Sequence, residues 1–145
     1  MNPKLLLRAS AVVTFVHAML NTFVGLLSGT SKNHEEVLLL NAMKALHFDA
    51  LGSLRTYWDF YFGFGLFLTF NLLLLAVLMW QLSSVAKAQP AMARPFIGIL
   101  CIAFLAFAIL SWLYFFIAPV VIELVIALLL GLAYASLRRS GEPMT

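Results

Sequence analysis

Charge is scarce in this chain of 145 residues. Asp, Glu, Lys and Arg together make up 10% of it, against about 25% in soluble domains. So few charges cannot solvate a globule surface, and a soluble fold is excluded by the 63% hydrophobic content and a mean hydropathy of +1.01. Cysteine occurs once. Cys101 sits inside an apolar run, so it can close no intrachain disulfide and has no sequence-adjacent partner for a metal, which argues against a redox role. Basic blocks are missing too: the nine Lys and Arg are scattered, and without a run to track phosphates nucleic acid is not an expected partner. No internal repeat or low-complexity tract occurs.

What is present is apolar sequence in lengths that match a bilayer, whose hydrocarbon core of about 30 Å needs about 20 helical residues. The reading is all-α: a four-transmembrane-helix bundle forming one integral membrane domain over residues 1–145. The spans are placed at 5–28, 58–82, 95–116 and 119–137. Lys4 and Arg8 ahead of the first apolar run imitate a signal peptide, but a run from Leu5 to Leu27 exceeds the 7 to 15 residues of a signal core. An anchored first helix is expected. Pro95 and Pro119 are placed in first helical turns, where a missing N–H costs nothing extra. As one helix, residues 95–137 would be roughly 64 Å long, so the chain must reverse near Ala118 and Pro119 into a tight antiparallel hairpin. Ser83 to Arg94, containing Pro90, reads as a polar linker.

Residues 30–57 are too polar to cross and too apolar for a plain loop. Asn33 and Glu36 resemble a capping box, followed by an apolar face of Val37, Leu39, Leu40, Met43, Leu46 and Ala50. An amphipathic outer helix lying on the membrane surface or folding over the bundle mouth is expected. Lys4, Arg8, Lys87, Arg94, Arg138 and Arg139 fall on one side of the spans, against Lys32, Lys44 and Arg55 on the other. The positive-inside rule then puts both termini in the cytoplasm. Tyr57, Trp58, Tyr61, Trp112 and Tyr114 form an aromatic belt on the outer side, and Trp80 marks the inner boundary.

Ionisable groups at membrane depth cost roughly 2.5 to 3.5 kcal/mol on insertion scales, so their positions are informative. In the first span Ser10, Thr14, His17, Asn21, Gly25 and Ser28 recur at three- and four-residue steps and make one polar stripe. A packing seam with Gly25 and Gly29 is the plainer explanation of its small residues. Glu123 shares a helix face with Ala127 and Gly131 and is expected to point inward, shallower than His17, with Asn21 or a water as bridge. Asp59 opens the second span, four residues after Arg55, where helix capping is the plainer explanation. The functional alternative adds Ser111 and Tyr114. It lines an outward-opening pocket with Asn21, Arg55, Asp59, Ser111 and Tyr114 as ligand contacts and with Glu123 and His17 exchanging protons. Asn71 reads as an interhelical hydrogen bond. His34 and His47 read as solvated loop residues.

The run from Arg55 to Leu66, RTYWDFYFGFGL, resembles a stretch in small bacterial four-helix integral membrane proteins to which no activity is assigned. The likeness covers the whole chain in length and helix layout and implies a bacterial inner membrane. More distantly, four helices with intramembrane carboxylates are similar in architecture to the EXPERA group, with its sterol isomerases, and to the DoxX-like proteins. That likeness transfers no sites.

Two functions follow as expectations. One is binding of a lipophilic molecule (isoprenoid, quinone or lipid) near the outer leaflet, with proton transfer in a double-bond isomerisation as its chemical form. The other is a non-catalytic accessory subunit that packs by small-residue seams against a membrane-protein partner or a second copy. No cofactor is expected: haem between helices needs paired histidines, and only His17 lies within a span. Carriers show discontinuous helix pairs and inverted repeats, which are missing here.

Overall fold

The computed structural model describes residues 2–28 and 33–139; Gly29 and Lys32 lie outside them. The described chain is all-α apart from one short hairpin. Helix α1 (Pro3–Leu20) continues as a π-helical segment (Asn21–Leu27), followed by α2 (His34–Ala45), strands β1 (His47–Ala50) and β2 (Ser53–Thr56), α3 (Tyr57–Ala88), α4 (Pro90–Tyr114) and α5 (Ile117–Arg139). Four helical stretches, Pro3–Leu27, Tyr57–Ala88, Pro90–Tyr114 and Ile117–Leu137, are long and apolar enough to cross a membrane. The chain divides into two compact units, Met1–His17 with Leu72–Thr145, and Ala18–Asn71.

In the first unit each helix buries one stripe and leaves the rest of its apolar surface open. Leu7, Ser10 and Thr14 are fully buried on α1, as are Met79 and Ser83 on α3, Ile97 and Phe104 on α4, and Ile126 and Leu130 on α5. These steps of three, four and seven residues are the helical repeat. Large apolar side chains such as Phe96, Ile102, Ile109 and Leu128 remain more than half exposed. Helices α4 and α5 form an antiparallel hairpin. Arg94 meets Tyr134, Cys101 Sγ donates to the Ala127 carbonyl (3.4 Å), and Ser111 meets Glu123.

Two boundaries differ from the sequence expectation. The stretch taken as a linker, Ser83 to Arg94, is helical on both sides of a joint at Gln89. Ser83 is buried with its hydroxyl on the Trp80 carbonyl (2.6 Å), and Ala86 and Ala93 are buried too. The core stripe thus runs on through small residues that carry no strong hydropathy signal. Pro90 takes the first-turn position assigned to Pro95, and Pro95 lies inside α4. The chain reverses at Phe115 and Phe116, just ahead of the expected place, and Pro119 does fall in the first turn of α5.

In the second unit the segment ahead of α3 is a helix followed by a hairpin, and Ala50 belongs to the hairpin. Asn33 caps α2, its side chain accepting from the Glu35 N–H (3.2 Å). No residue of α2 is buried, so its apolar face stands open. Strands β1 and β2 pair antiparallel, with His47 opposite Thr56 and Ala50 opposite Ser53. Leu51 (φ 53°) and Gly52 (φ 85°) make the turn, the two-residue type in which both residues adopt positive φ. Asp49 Oδ1 accepts from the Gly52 N–H (2.7 Å), and Phe48 packs on Tyr57 and Phe60, with centroids 4.9 and 5.3 Å away.

A fully exposed leucine in the left-handed region is a local cost that asparagine avoids. Leu51→Asn is expected to stabilise the hairpin by about 1 kcal/mol, read as slower amide hydrogen exchange across residues 47–56. Unchanged or faster exchange would contradict the turn assignment.

Candidate functional site

Each unit carries polar groups of its own. In the first unit, Glu123 lies two turns into α5 on its buried stripe, 6% exposed. The Ser111 side chain, itself buried on α4, is its polar neighbour. Oε2 of Glu123 is buried with no partner. A hydroxyl both donates and accepts, so Ser111 can serve a carboxylate or a neutral carboxyl. His17, at the end of the α1 stripe, is 7% exposed with Nδ1 buried and unpartnered. Buried polar atoms left without partners are uncommon in folded proteins and call for an explanation.

The other stripe residues of α1 need none. Ser10 donates to the Leu6 carbonyl (3.0 Å) and Thr14 to the Ser10 carbonyl (2.8 Å), bonds within their own helix that suit a packing seam. Farther along, Gly25 and Ser28 are exposed.

In the second unit, Asn21 opens the π-helical segment. Its Nδ2 donates to the Gly65 carbonyl (3.1 Å) and to Thr69 Oγ1 (2.8 Å), and Thr22 Oγ1 lies 2.9 Å from Thr69 Oγ1. Thr22 also donates to the Ala18 carbonyl (2.9 Å), which in a regular α-helix would receive the Thr22 N–H. The segment passes so close to α3 that a Cβ at Gly65 would overlap the Leu26 side chain. Asn21 is therefore the polar tie of this crossing. Asn71, expected to bond between helices, donates to the Phe67 carbonyl of its own helix (2.8 Å); Asn21 and Thr69 take the role assigned to it.

Asp59 and Thr56 form a reciprocal cap at the start of α3. Asp59 Oδ2 accepts from the Thr56 N–H (2.8 Å), and Thr56 Oγ1 accepts from the Asp59 N–H (3.1 Å). This is the capping explanation of Asp59, and the Thr-x-x-Asp spacing that signals it is readable in the sequence. Arg55 Nη1 donates to the Leu54 carbonyl (3.2 Å). Arg55 and Asp59 nevertheless line one open groove of about 370 Å³, with Phe60, Gly63, Phe64 and Phe67. A second open groove, of about 400 Å³, runs along the α4–α5 seam. Neither is lined by His17 or Glu123. Tyr114 is 76% exposed at the end of α4.

Of the residues expected to share a pocket, then, Ser111 meets Glu123, and Arg55 shares a groove with Asp59. Asn21 is engaged with Gly65 and Thr69. Among the described residues no three His, Cys, Asp or Glu side chains converge to hold a metal ion. Comparison with family models, with curated proteins and with solved structures finds no match.

Thr69→Val removes the hydroxyl that bonds Asn21 while keeping the side-chain shape. It is expected to lower stability by about 0.6 to 1.7 kcal/mol, and Asn21→Ala by a similar amount. The double variant should cost less than the sum, because both remove one shared interaction. Thermal unfolding in detergent checks this, and strict additivity would show that the two side chains act apart.

Proposed function

We propose that the chain is a four-span integral membrane protein whose first unit binds the polar end of a lipophilic molecule, an isoprenoid, quinone or lipid, at Glu123, Ser111 and His17. The observation carrying this reading is the pair of buried, unpartnered polar atoms, Glu123 Oε2 and His17 Nδ1, on apolar helices of one compact unit. Intramembrane ionisable residues are costly and by default mark a functional site.

Their depths agree better than the sequence alone suggests. Arg8 lies over the Trp80 ring and Arg94 over the Tyr134 ring, each 4.7 Å from the centroid. Such arginine–aromatic pairs suit the boundary between apolar core and headgroups. Counting along the helices from Arg8 and from Tyr134, His17 lies roughly 14 Å and Glu123 roughly 16 Å from that boundary, near the middle of a 30 Å core. A ligand head there would meet one carboxyl, one hydroxyl and one imidazole, enough to orient it in apolar surroundings. Proton exchange between Glu123 and the bound molecule is the chemistry these groups can perform.

The same reading assigns the remaining parts. The cytoplasmic face carries Lys4, Arg8, Lys87, Arg94, Arg138 and Arg139, in keeping with a bacterial inner membrane and with both termini inside. The open apolar face of α2, with Val37, Leu38 and Leu39 exposed, lies on the outer membrane surface as an interfacial helix.

The test measures binding of farnesol and of a short-chain quinone to detergent-purified protein, alongside mass spectrometry of copurified lipid. Glu123→Gln and His17→Ala are each expected to weaken binding of the preferred probe about tenfold, the equivalent of one lost hydrogen bond to a charged or strongly polar group. Unchanged binding by properly folded variants removes both residues from the site.

A further inference from the structure

The groove along α4 and α5 is a built feature of the first unit. Gly98, Cys101 and Gly131 give it little bulk, Ile99 and Ile102 make an apolar wall, and Tyr134 bounds it. A Cβ on Gly98 would meet the Tyr134 ring at an ordinary contact distance of 3.4 Å, so the ring lies directly along α4 at this glycine. From Gly98 to Ile102 the groove follows α4 for roughly 6 Å, and with Pro95 at its mouth for roughly 10 Å.

Arg94 precedes Pro95 on α4 and meets Tyr134, both of which line the groove. Its guanidinium stacks on the same Tyr134 ring, 4.7 Å from the centroid, which fixes the planar fork in place. Its Nε is buried and has no partner. Glu123 is the one acid among the described residues of this unit, and it lies eleven residues along α5 from Tyr134, roughly 16 Å away. Among the described residues of this unit Arg94 thus has no counterion, and Lys87 precedes it at the end of α3.

From this juxtaposition of an apolar groove and an oriented guanidinium that no described acid of the unit compensates, we infer that the α4–α5 seam binds one phospholipid with an anionic headgroup. An acyl chain lies over Gly98, Cys101 and Gly131, and the phosphate is held by the Arg94 fork. Planar guanidinium groups bind phosphate oxygens bidentately, and basic pockets between helices at the cytoplasmic face are suited to anionic headgroups. The site is separate from Glu123 and rests on the reading that the chain spans a membrane.

Full-length protein in mild detergent, titrated with phosphatidylglycerol or with phosphatidylcholine of the same acyl chains and followed by native mass spectrometry, tests the inference. One phosphatidylglycerol per chain should be retained in preference to phosphatidylcholine. R94Q should weaken phosphatidylglycerol binding about fivefold, as expected for one cation at a charged headgroup, with R94K retaining part of the preference. G131L, which fills the groove, should reduce retention of both lipids, and this arm decides if R94Q does not fold.

Equal retention of the two lipids by wild type, undiminished phosphatidylglycerol binding by folded R94Q or G131L, or a dimer mass that lipid does not displace would each overturn the inference. Carbonate extraction of the expressing membranes separates the premises. A chain released by carbonate refutes membrane spanning itself, whereas a retained chain with unaltered R94Q binding refutes the lipid site alone.

Discussion

A helix surrounded by apolar material can satisfy its backbone internally but not its polar side chains, and most of this structure follows from where those side chains are allowed to go. Ser10, Thr14, Ser83, Ser111 and Glu123 all lie on buried stripes, while the open faces of the same helices carry Phe, Leu, Ile and Val. Several of the hydroxyls bond carbonyls of their own helix, which removes a polar group from apolar contact and lets helices approach closely. Glu123 and His17 cannot be accommodated in that way. Their unpartnered atoms set them apart from the hydroxyls of the seam.

The second unit meets the same constraint differently. Asn21 offers more hydrogen-bonding capacity than its own helix can absorb, and the helix widens into a π-helical segment at that residue. Such widenings are frequent at functional places in proteins. Here the segment directs an amide at Gly65 and Thr69, and the bare backbone at Gly65 provides the room. A geometric irregularity, a glycine and two polar side chains thus serve a single crossing.

Much of the architecture was legible in the residue pattern because span length and hydropathy are coarse, additive signals. The four apolar helices, the cap at Asn33 and the reversal between α4 and α5 were all readable in this way. The hairpin at residues 47–56 was not. Its strands have four residues each, and its turn uses Leu-Gly where Asn-Gly would have announced it. The helical Ser83 to Arg94 stretch was hidden because its buried positions are Ser and Ala. The burial of Glu123 and His17 followed from their spacing on helical stripes. Partnerships between distant residues, such as Asn21 with Thr69 or Arg94 with Tyr134, leave no mark in a single sequence, since nothing local fixes the register of one helix against another.

The joint at Gln89 has a consequence for how this chain can vary. With a single residue between α3 and α4, no slack exists to absorb a change in length. One residue inserted there and taken up into α4 would turn that helix by about 100°, carrying Ala93, Ile97 and Phe104 out of the interior and presenting Phe96 in their place. Substitution at this joint is a small matter for the fold, whereas an insertion or deletion would force the interior to be rebuilt around a different set of side chains.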